Sequence, residues 1–289
     1  MVASSILQEP SVKNWLGGIE PAWTMLDQAS FAALQRPPPP MLGPIRFSSD
    51  LTQEEIRRSA VARNALVLLG AAAAGGGLKM TATGNLSRAV VAQMIDLFTW
   101  PDFDKSEMFE LSKVINEPDF LPLFFVRHVA EACKLLRKHK GHLKITPAGR
   151  QLFEVSDQPA LQAIMFHAAF WYLELDYLGL YFHHGWPQRD IGIVLWSLSV
   201  ASNDWQPPER LTRLCTIPVG GVGDLRWDTA SFTMETKILR PLLWFGLLEL
   251  RKDDIEGSRE KRHLYRKTAL FDRFLAFDVR LETASSPRH

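Results

Sequence analysis

The chain has 289 residues, of which 46% are hydrophobic and 22% are charged, and its formal net charge at pH 7 is +1. This length suffices for two or three small domains with cores of their own, and the composition excludes a wholly disordered protein. Because the net charge is close to zero, any attraction to a polyanion has to come from local clusters of basic residues.

Residues 1–44 are predicted to form an N-terminal segment with a polyproline linker. A short helix begins at Pro21, and the four prolines at positions 37–40 form an extended spacer after it. The N-terminus lacks the basic, apolar and small-residue order of a signal peptide, and Cys133 and Cys215 lie in apolar surroundings. We therefore expect a cytoplasmic protein with two free thiols. The alternative, one disulfide between them, is not the pattern of a disulfide scaffold.

Residues 45–103 are predicted to form a first unit of helices around a short strand. Capping residues and glutamates at positions 49–55 begin a helix, which is broken once near Ser59 to Arg63, and Gly75 to Gly77 end it. Leu78 and Met80 then alternate with Lys79 as in a half-buried strand, and a second helix follows. The glycines follow a helix and precede a strand, which is the wrong order for a phosphate-binding loop.

Residues 104–157 are predicted to form a second unit with a basic hairpin. A long apolar helix runs from Leu121 to Leu136, two short strands with Gly141 in their turn follow, and another helix begins near Gly149. The stretch Gly141-x-Leu-x-Ile-Thr-x-x-Gly149 repeats residues 77–84 in outline, and a blurred third copy precedes Thr268.

This order of helix, helix, basic hairpin and helix resembles the winged helix-turn-helix family, in which the motif at residues 141–149 is frequent at the junction between wing and helix. The resemblance implies that a helix before the hairpin, either the one from Leu121 to Leu136 or its neighbour, enters the DNA major groove. It also implies that the wing contacts the backbone or the minor groove. Many winged helices serve only as protein-interaction modules, so the resemblance also leaves that role open.

The rest of the chain completes a mainly α fold with short β-hairpins, in which tandem winged-helix-like units surround a central aromatic helix. Residues 158–188 are assigned to that helix, and residues 189–289 to a third unit with a tail. Glu174 and Asp176 interrupt the apolar stretch from Phe166 to Trp186, so we expect no membrane-spanning helix.

The candidate binding site is the basic stretch from residue 127 to residue 150. Seven basic residues stand there against Glu131 as the single acid, and side chains of this type bind phosphates. We expect a DNA-binding protein, a transcriptional regulator without catalytic residues or cofactors, whose partners are DNA and either a second copy or another protein. The predicted nucleic-acid-binding residues are Arg127, Lys134, Arg137, Lys138, Lys140, Lys144 and Arg150.

Two alternatives remain open at this point. The first is a scaffold without nucleic acid, on which exposed aromatic residues anchor a protein partner; the candidates are Trp15, Trp23, Trp186 and Trp205. The second is a metal-dependent enzyme centred on His183 and His184, with His167 and Glu174 as further ligands. No His-x-x-x-His or paired-carboxylate spacing supports that metal site. Similarly, Gly220 to Asp224 lacks the context of a dinucleotide-binding loop.

Overall fold

The computed structural model of the chain describes residues 5–35, 43–101, 103–111, 113–154, 158–178, 184–222 and 228–282. The chain divides into two compact units, which we name by their place in the sequence. The inserted unit is Ser49–Leu173, and the flanking unit combines Met1–Ser48 with Glu174–His289. The prolines at positions 37–40, predicted to form a spacer, lie outside the described residues.

The fold is mainly helical, with small antiparallel sheets. The flanking unit begins with helices α1 (Pro10–Leu16) and α2 (Gln28–Leu34) and strand β1 (Ile45–Phe47). The inserted unit contains α3 (Gln53–Arg57), α4 (Ala60–Ala74), β2 (Leu78–Lys79), α5 (Arg88–Leu97), α6 (Lys105–Leu111), α7 (Leu121–Ala132), β3 (Leu136–His139), β4 (His142–Ile145), α8 (Pro147–Glu154) and α9 (Gln158–Trp171). The flanking unit continues with α10 (Ile191–Ala201), α11 (Pro208–Cys215), α12 (Thr229–Met234), a π-helical turn (Glu235–Leu239), α13 (Arg240–Trp244), β5 (Leu248–Asp254), β6 (Lys261–Lys267), α14 (Ala269–Phe274) and β7 (Leu275–Phe277).

Capping residues fix where the first helices of the inserted unit begin. The Thr52 hydroxyl accepts a hydrogen bond from the Glu55 amide, and the Glu55 carboxylate accepts one from the Thr52 amide, so α3 begins with a capping box. The Ser59 hydroxyl accepts a hydrogen bond from the Ala62 amide and begins α4. The break predicted near residues 59–63 is therefore confirmed.

The inserted unit contains one three-stranded antiparallel sheet, in the order β2, β4, β3. Leu143 of β4 pairs with Leu78 on one side and with Lys138 on the other. Residues 45–103 and 104–157, predicted as two separate units, thus contribute strands to the same sheet. The physical reason is that β2 has two residues and too few hydrogen bonds to form a hairpin of its own, so it is stabilised by the longer β4.

The junction between the last helix before a hairpin and the helix after it has the same hydrogen bonds in both units. In each unit, an amide just after the helix donates a hydrogen bond to a carbonyl five residues earlier. A threonine then donates two hydrogen bonds to carbonyls of the turn, one from its amide and one from its hydroxyl. The bonds are Leu135 N–Ala130 O, Thr146 N–Leu135 O and Thr146 Oγ1–Lys134 O in the inserted unit, and Leu247 N–Leu242 O, Thr268 N–Leu247 O and Thr268 Oγ1–Gly246 O in the flanking unit.

Gly149 is needed at the junction of the inserted unit for steric reasons. A Cβ atom at this position would lie 2.3 Å from the carbonyl oxygen of Leu135, well inside van der Waals contact. The close approach lets α8 pack directly on the chain that enters β3. This explains the glycine at the end of the motif that begins at Gly141.

The aromatic helix is shorter than predicted. Helix α9 ends at Trp171, because the carbonyl of Ala168 accepts hydrogen bonds from the amides of both Tyr172 and Leu173 and so closes the last turn. Helix α9 belongs to the inserted unit, where it packs against α3, α4, α7 and α8, whereas the chain from Glu174 onward belongs to the flanking unit. The predicted helix over residues 158–188 is therefore wrong beyond residue 171 within the described residues.

Candidate nucleic-acid interface

One side of the three-stranded sheet in the inserted unit is formed by basic residues and histidines. Successive side chains of a strand point to opposite faces. Leu78, Leu136 and Leu143 are buried and face the core. The residues between them lie on the opposite face, which we call the basic face; they are Lys79, Arg137, His139, His142 and Lys144.

The centre of the basic face is a cross-strand pair of like charges. Arg137 on β3 lies directly opposite Lys144 on β4, and His139 lies opposite His142. Arg137, His139 and Lys79 are exposed, while Lys144 and His142 are half-buried. Strands β2, β3 and β4 contain no acidic residue, and no described residue forms an ion pair with Arg137 or Lys144. Directly opposed like charges destabilise a sheet, so this face is suited to binding an anion.

The remaining predicted basic residues lie around the basic face, not on it. Lys140 forms the hairpin turn with Gly141, both with positive φ as a two-residue turn requires. Lys138 is exposed on the other face, where its ammonium group lies beside Gly84. Lys134 is exposed in the turn before β3, and Arg150 is exposed on α8.

Arg127 was predicted to bind nucleic acid, and the structure shows that it cannot reach a phosphate. Its side chain is 2% exposed and donates hydrogen bonds of 2.7 Å to both carboxylate oxygens of Glu117, which is inaccessible to solvent. Arg127 also pairs with Glu131 at 3.0 Å and donates to the carbonyl of Gly84. Glu117 in turn accepts a hydrogen bond from the Leu86 amide. The arginine therefore holds the loop after β2 in place.

The helix that precedes the hairpin is buried and cannot enter a DNA groove in this conformation. Helix α7, predicted as the groove-binding element, packs against α4, α5, α9 and β3. Its residues from Pro122 to Ala132 are all buried or half-buried, and Leu121 at its beginning is 38% exposed. The basic face is thus accessible, while the predicted base-reading helix is not.

The β5–β6 hairpin of the flanking unit provides an internal comparison. There, the cross-strand pair is Glu249 and Arg266, whose charged atoms lie 2.7 Å apart. Arg251 pairs with Asp253 at 2.9 Å, and Lys261 pairs with Asp254. Arg251, Lys261 and Arg266 are thus neutralised by acids of the same hairpin, in contrast to Arg137 and Lys144 of the basic face.

Sequence reasoning missed three members of the basic face. Lys79 lies in a stretch of the sequence with few basic residues, yet pairing of β2 with β4 places it beside His142. His139 and His142 were seen as part of the hairpin but were not assigned a role. The alternation of β3 and β4 about the Lys140–Gly141 turn was the signal that could have identified them.

The residues of the proposed metal site are engaged in other interactions. His184 Nδ1 lies 3.0 Å from Asp176, and its Nε2 lies 3.8 Å from Glu174. Asp176 also accepts a 2.7 Å hydrogen bond from Lys237, a lysine that is inaccessible to solvent. Burial alone would raise the pKa of Asp176, but the hydrogen bond and charge of Lys237 outweigh it and hold that pKa below its usual range. Among the described residues, no group of histidine, cysteine or carboxylate ligands is arranged to hold a metal; His183 lies outside them.

The tryptophans considered as anchors for a protein partner are largely covered. Trp23 and Trp186 are 4% and 2% exposed, and their indole nitrogens donate 2.9 Å hydrogen bonds to the carbonyls of Thr216 and Ile217. Trp15 and Trp205 are half-buried. His167 is also buried, stacked on Trp171 with ring centroids 5.3 Å apart. In the described part of the chain, no helix is long and apolar enough to cross a membrane.

Comparison with known proteins adds a family resemblance. The family model for the Y4jL N-terminal domain matches residues 57–159, which lie within the inserted unit and include the basic face. The chain is similar to the uncharacterized protein y4jL of Sinorhizobium fredii, with 32% identity over 145 residues. That alignment covers 50% of this chain and 60% of y4jL, so the chain spans less than two thirds of its relative. No solved structure matches the chain.

Proposed function

We propose that this protein binds DNA by placing phosphates on the basic face of its inserted unit. The observation that carries the proposal is the like-charged pair of Arg137 and Lys144 on an exposed sheet without acidic residues. Such a pair repels itself in the free protein. A phosphate placed between the two side chains would relieve the repulsion and release counterions, which is the main source of affinity for nucleic acid.

The arrangement of elements supports this proposal. In both units, a helix is followed by an antiparallel hairpin whose second strand pairs with a short stretch from earlier in the unit, at Leu78 and at Gln206. This is the order expected of a winged helix, and we propose that each unit has that fold. Two winged-helix-like units then take the place of the three predicted from sequence, and the basic hairpin is the wing that contacts the backbone.

We further propose that binding is largely independent of sequence. Base reading requires side chains that reach base edges in a groove, and burial of α7 leaves the helix before the hairpin without that access. Contacts limited to phosphates give dissociation constants of about 10⁻⁴ to 10⁻⁶ M at physiological salt. Weak, salt-sensitive binding therefore supports this proposal better than it supports a sequence-specific transcriptional regulator.

The test is the salt dependence of DNA binding, measured by fluorescence anisotropy on a labelled duplex. Combined Arg137→Ala and Lys144→Ala substitutions should weaken binding and reduce the slope of log affinity against log salt by about 1.8, because each lost phosphate contact removes about 0.9. The matched control replaces Arg251 and Lys261 on the other hairpin and should leave the slope unchanged. Absence of binding by the parent at low salt, or an unchanged slope in the double variant, would contradict the proposal.

A second candidate function is protein interaction through the inserted unit. Large apolar side chains are exposed between α5 and the beginning of α7: Leu97 and Phe109 are each 49% exposed, Val114 is 48% exposed and Leu121 is 38% exposed. Exposed apolar residues of this kind are typical of interaction surfaces when they are contiguous. Phe109→Ser should then reduce self-association measured by light scattering without changing DNA affinity. A monomeric parent would exclude self-association through these residues.

A further inference from the structure

In the flanking unit, a tryptophan ring covers the hairpin face that carries the Glu249–Arg266 pair. The guanidinium carbon of Arg266 lies 4.6 Å from the ring centroid of Trp205, and that of Arg251 lies 5.0 Å from the same centroid. These are cation–π distances. The face is thus a platform of two cations on which one planar aromatic ring is stacked.

The basic face of the inserted unit has the same register. Counting back from the equivalent threonines of the two junctions, Lys144 and Arg266 each lie two residues before the threonine. Lys144 pairs across its hairpin with Arg137, the second residue of β3, and Arg266 pairs with Glu249, the second residue of β5. By the same count, His139 corresponds to Arg251. The two positions that hold the Trp205 ring in one unit are therefore a lysine and a histidine in the other.

The residue that corresponds to Trp205 is Gly77. Trp205 immediately precedes Gln206, which forms a bridge with Tyr265, three residues before the junction threonine. Gly77 immediately precedes Leu78, which pairs with Leu143, and Leu143 likewise lies three residues before its junction threonine, Thr146.

Replacing Gly77 with a residue whose side chain could cover the basic face would require the backbone to move. Its φ is +118°, a conformation that favours glycine. A Cβ atom there would lie 2.9 Å from Cγ of Lys144 and 3.0 Å from the carbonyl oxygen of Leu143. The place that the indole ring fills in the flanking unit is therefore left without a side chain in the inserted unit.

We propose that the basic face binds single-stranded DNA, with an unpaired base stacked over Lys144 and His139 as the Trp205 ring is stacked over Arg266 and Arg251. This inference rests on the DNA-binding function proposed above and adds the class of DNA. The phosphate on one side of the stacked base lies between Arg137 and the ammonium group of Lys144, and the phosphate on the other side lies against Lys79. Such a combination of a positive surface with ring stacking is typical of proteins that bind single strands. In a duplex, the base faces are already stacked on one another and cannot occupy this place.

The experiment compares three fluorescent probes of equal length at low salt: oligothymidylate, an abasic strand with the same phosphates, and a duplex. Stacking of one base is worth at least about a fivefold gain in affinity, so oligothymidylate should bind at least about fivefold tighter than the abasic strand, and tighter than the duplex. Equal binding of oligothymidylate and the abasic strand, or tighter binding of the duplex, would overturn this inference and leave the proposed function standing. Failure of all three probes to bind would overturn both.

Variants locate the stacked base. His139→Ala and Lys144→Ala should each reduce the ratio of the two single-strand affinities. Lys138→Ala is the matched control: this lysine is exposed on the other face of the same hairpin, and its removal should leave the ratio unchanged. If the ratio stays the same in both basic-face variants, the base does not stack at this place and the inference is wrong.

Discussion

The substitution Arg137→Glu should change stability and DNA binding in opposite directions. It would convert the like-charged pair with Lys144 into the kind of pair that Glu249 and Arg266 form at 2.7 Å in the other hairpin. The inserted unit should become more stable because a repulsion is replaced by an attraction. DNA binding should weaken because a phosphate-binding cation becomes an anion.

The magnitude follows from the position of the pair. Directly opposed charges on neighbouring strands contribute about 0.2–1 kcal/mol when opposite and cost a similar amount when alike. The change from one to the other is therefore about 0.5–2 kcal/mol, with the lower part of the range expected because Arg137 is exposed and solvent screens its charge. This corresponds to a rise of a few degrees in melting temperature. Affinity for DNA at low salt should fall by about tenfold or more, equivalent to about 1.4 kcal/mol.

Thermal unfolding followed by circular dichroism measures the first effect, and fluorescence anisotropy measures the second. The matched control is Glu249→Arg, which should create a like-charged pair with Arg266 and lower the melting temperature. A drop in stability for Arg137→Glu would mean that the two basic residues do not repel each other as the register requires. A gain in DNA affinity would mean that Arg137 does not hold a phosphate.

Three further predictions concern the supports of the two units. Glu117→Gln should destabilise the inserted unit by about 3 kcal/mol, the lower end of the range for a broken buried ion pair, because Arg127 loses its buried carboxylate partner and keeps only the partly exposed Glu131; a urea midpoint unchanged from the parent would refute this. Gly149→Ala should lower the melting temperature, because its Cβ would lie 2.3 Å from the Leu135 carbonyl oxygen; an unchanged melting temperature would show that the junction can move freely. The pKa of Asp176 is held low in the folded protein, so its contribution to stability is complete above the unfolded value of about 4 and is lost as pH falls through the folded value. Asp176→Asn should therefore make stability less sensitive to acid below about pH 4, and an acid-unfolding curve identical to the parent's would contradict the pairing.

Local signals in the sequence predicted much of the fold. The capping residues before α3 located the beginning of that helix, and the alternation of apolar and basic residues about Gly141 located the hairpin. These features depend on neighbours within a few residues, which a sequence shows directly. The glycine at position 149 was also recognised, and the structure supplies its reason in the contact with Leu135.

Long-range pairing could not be predicted in the same way. Strand β2 has two residues and joins β4 more than sixty positions later, so nothing local showed that two stretches form one sheet. A count of charges likewise does not show which side of a chain each cation occupies. Arg127 was counted with the exposed lysines, although Glu117, ten residues earlier, holds it in the core. Aromatic residues also continue past Trp171 in the sequence, so composition did not indicate that α9 ends there.

Lysine footprinting shows whether DNA lies on the basic face. The protein is acetylated with and without a DNA strand, and modified lysines are quantified by mass spectrometry. If DNA lies on the basic face, Lys79 and Lys144 should lose reactivity when DNA is bound, while Lys261 on the acid-paired hairpin should keep it. Protection of Lys261 with continued reactivity of Lys79 and Lys144 would show that DNA does not lie on the basic face.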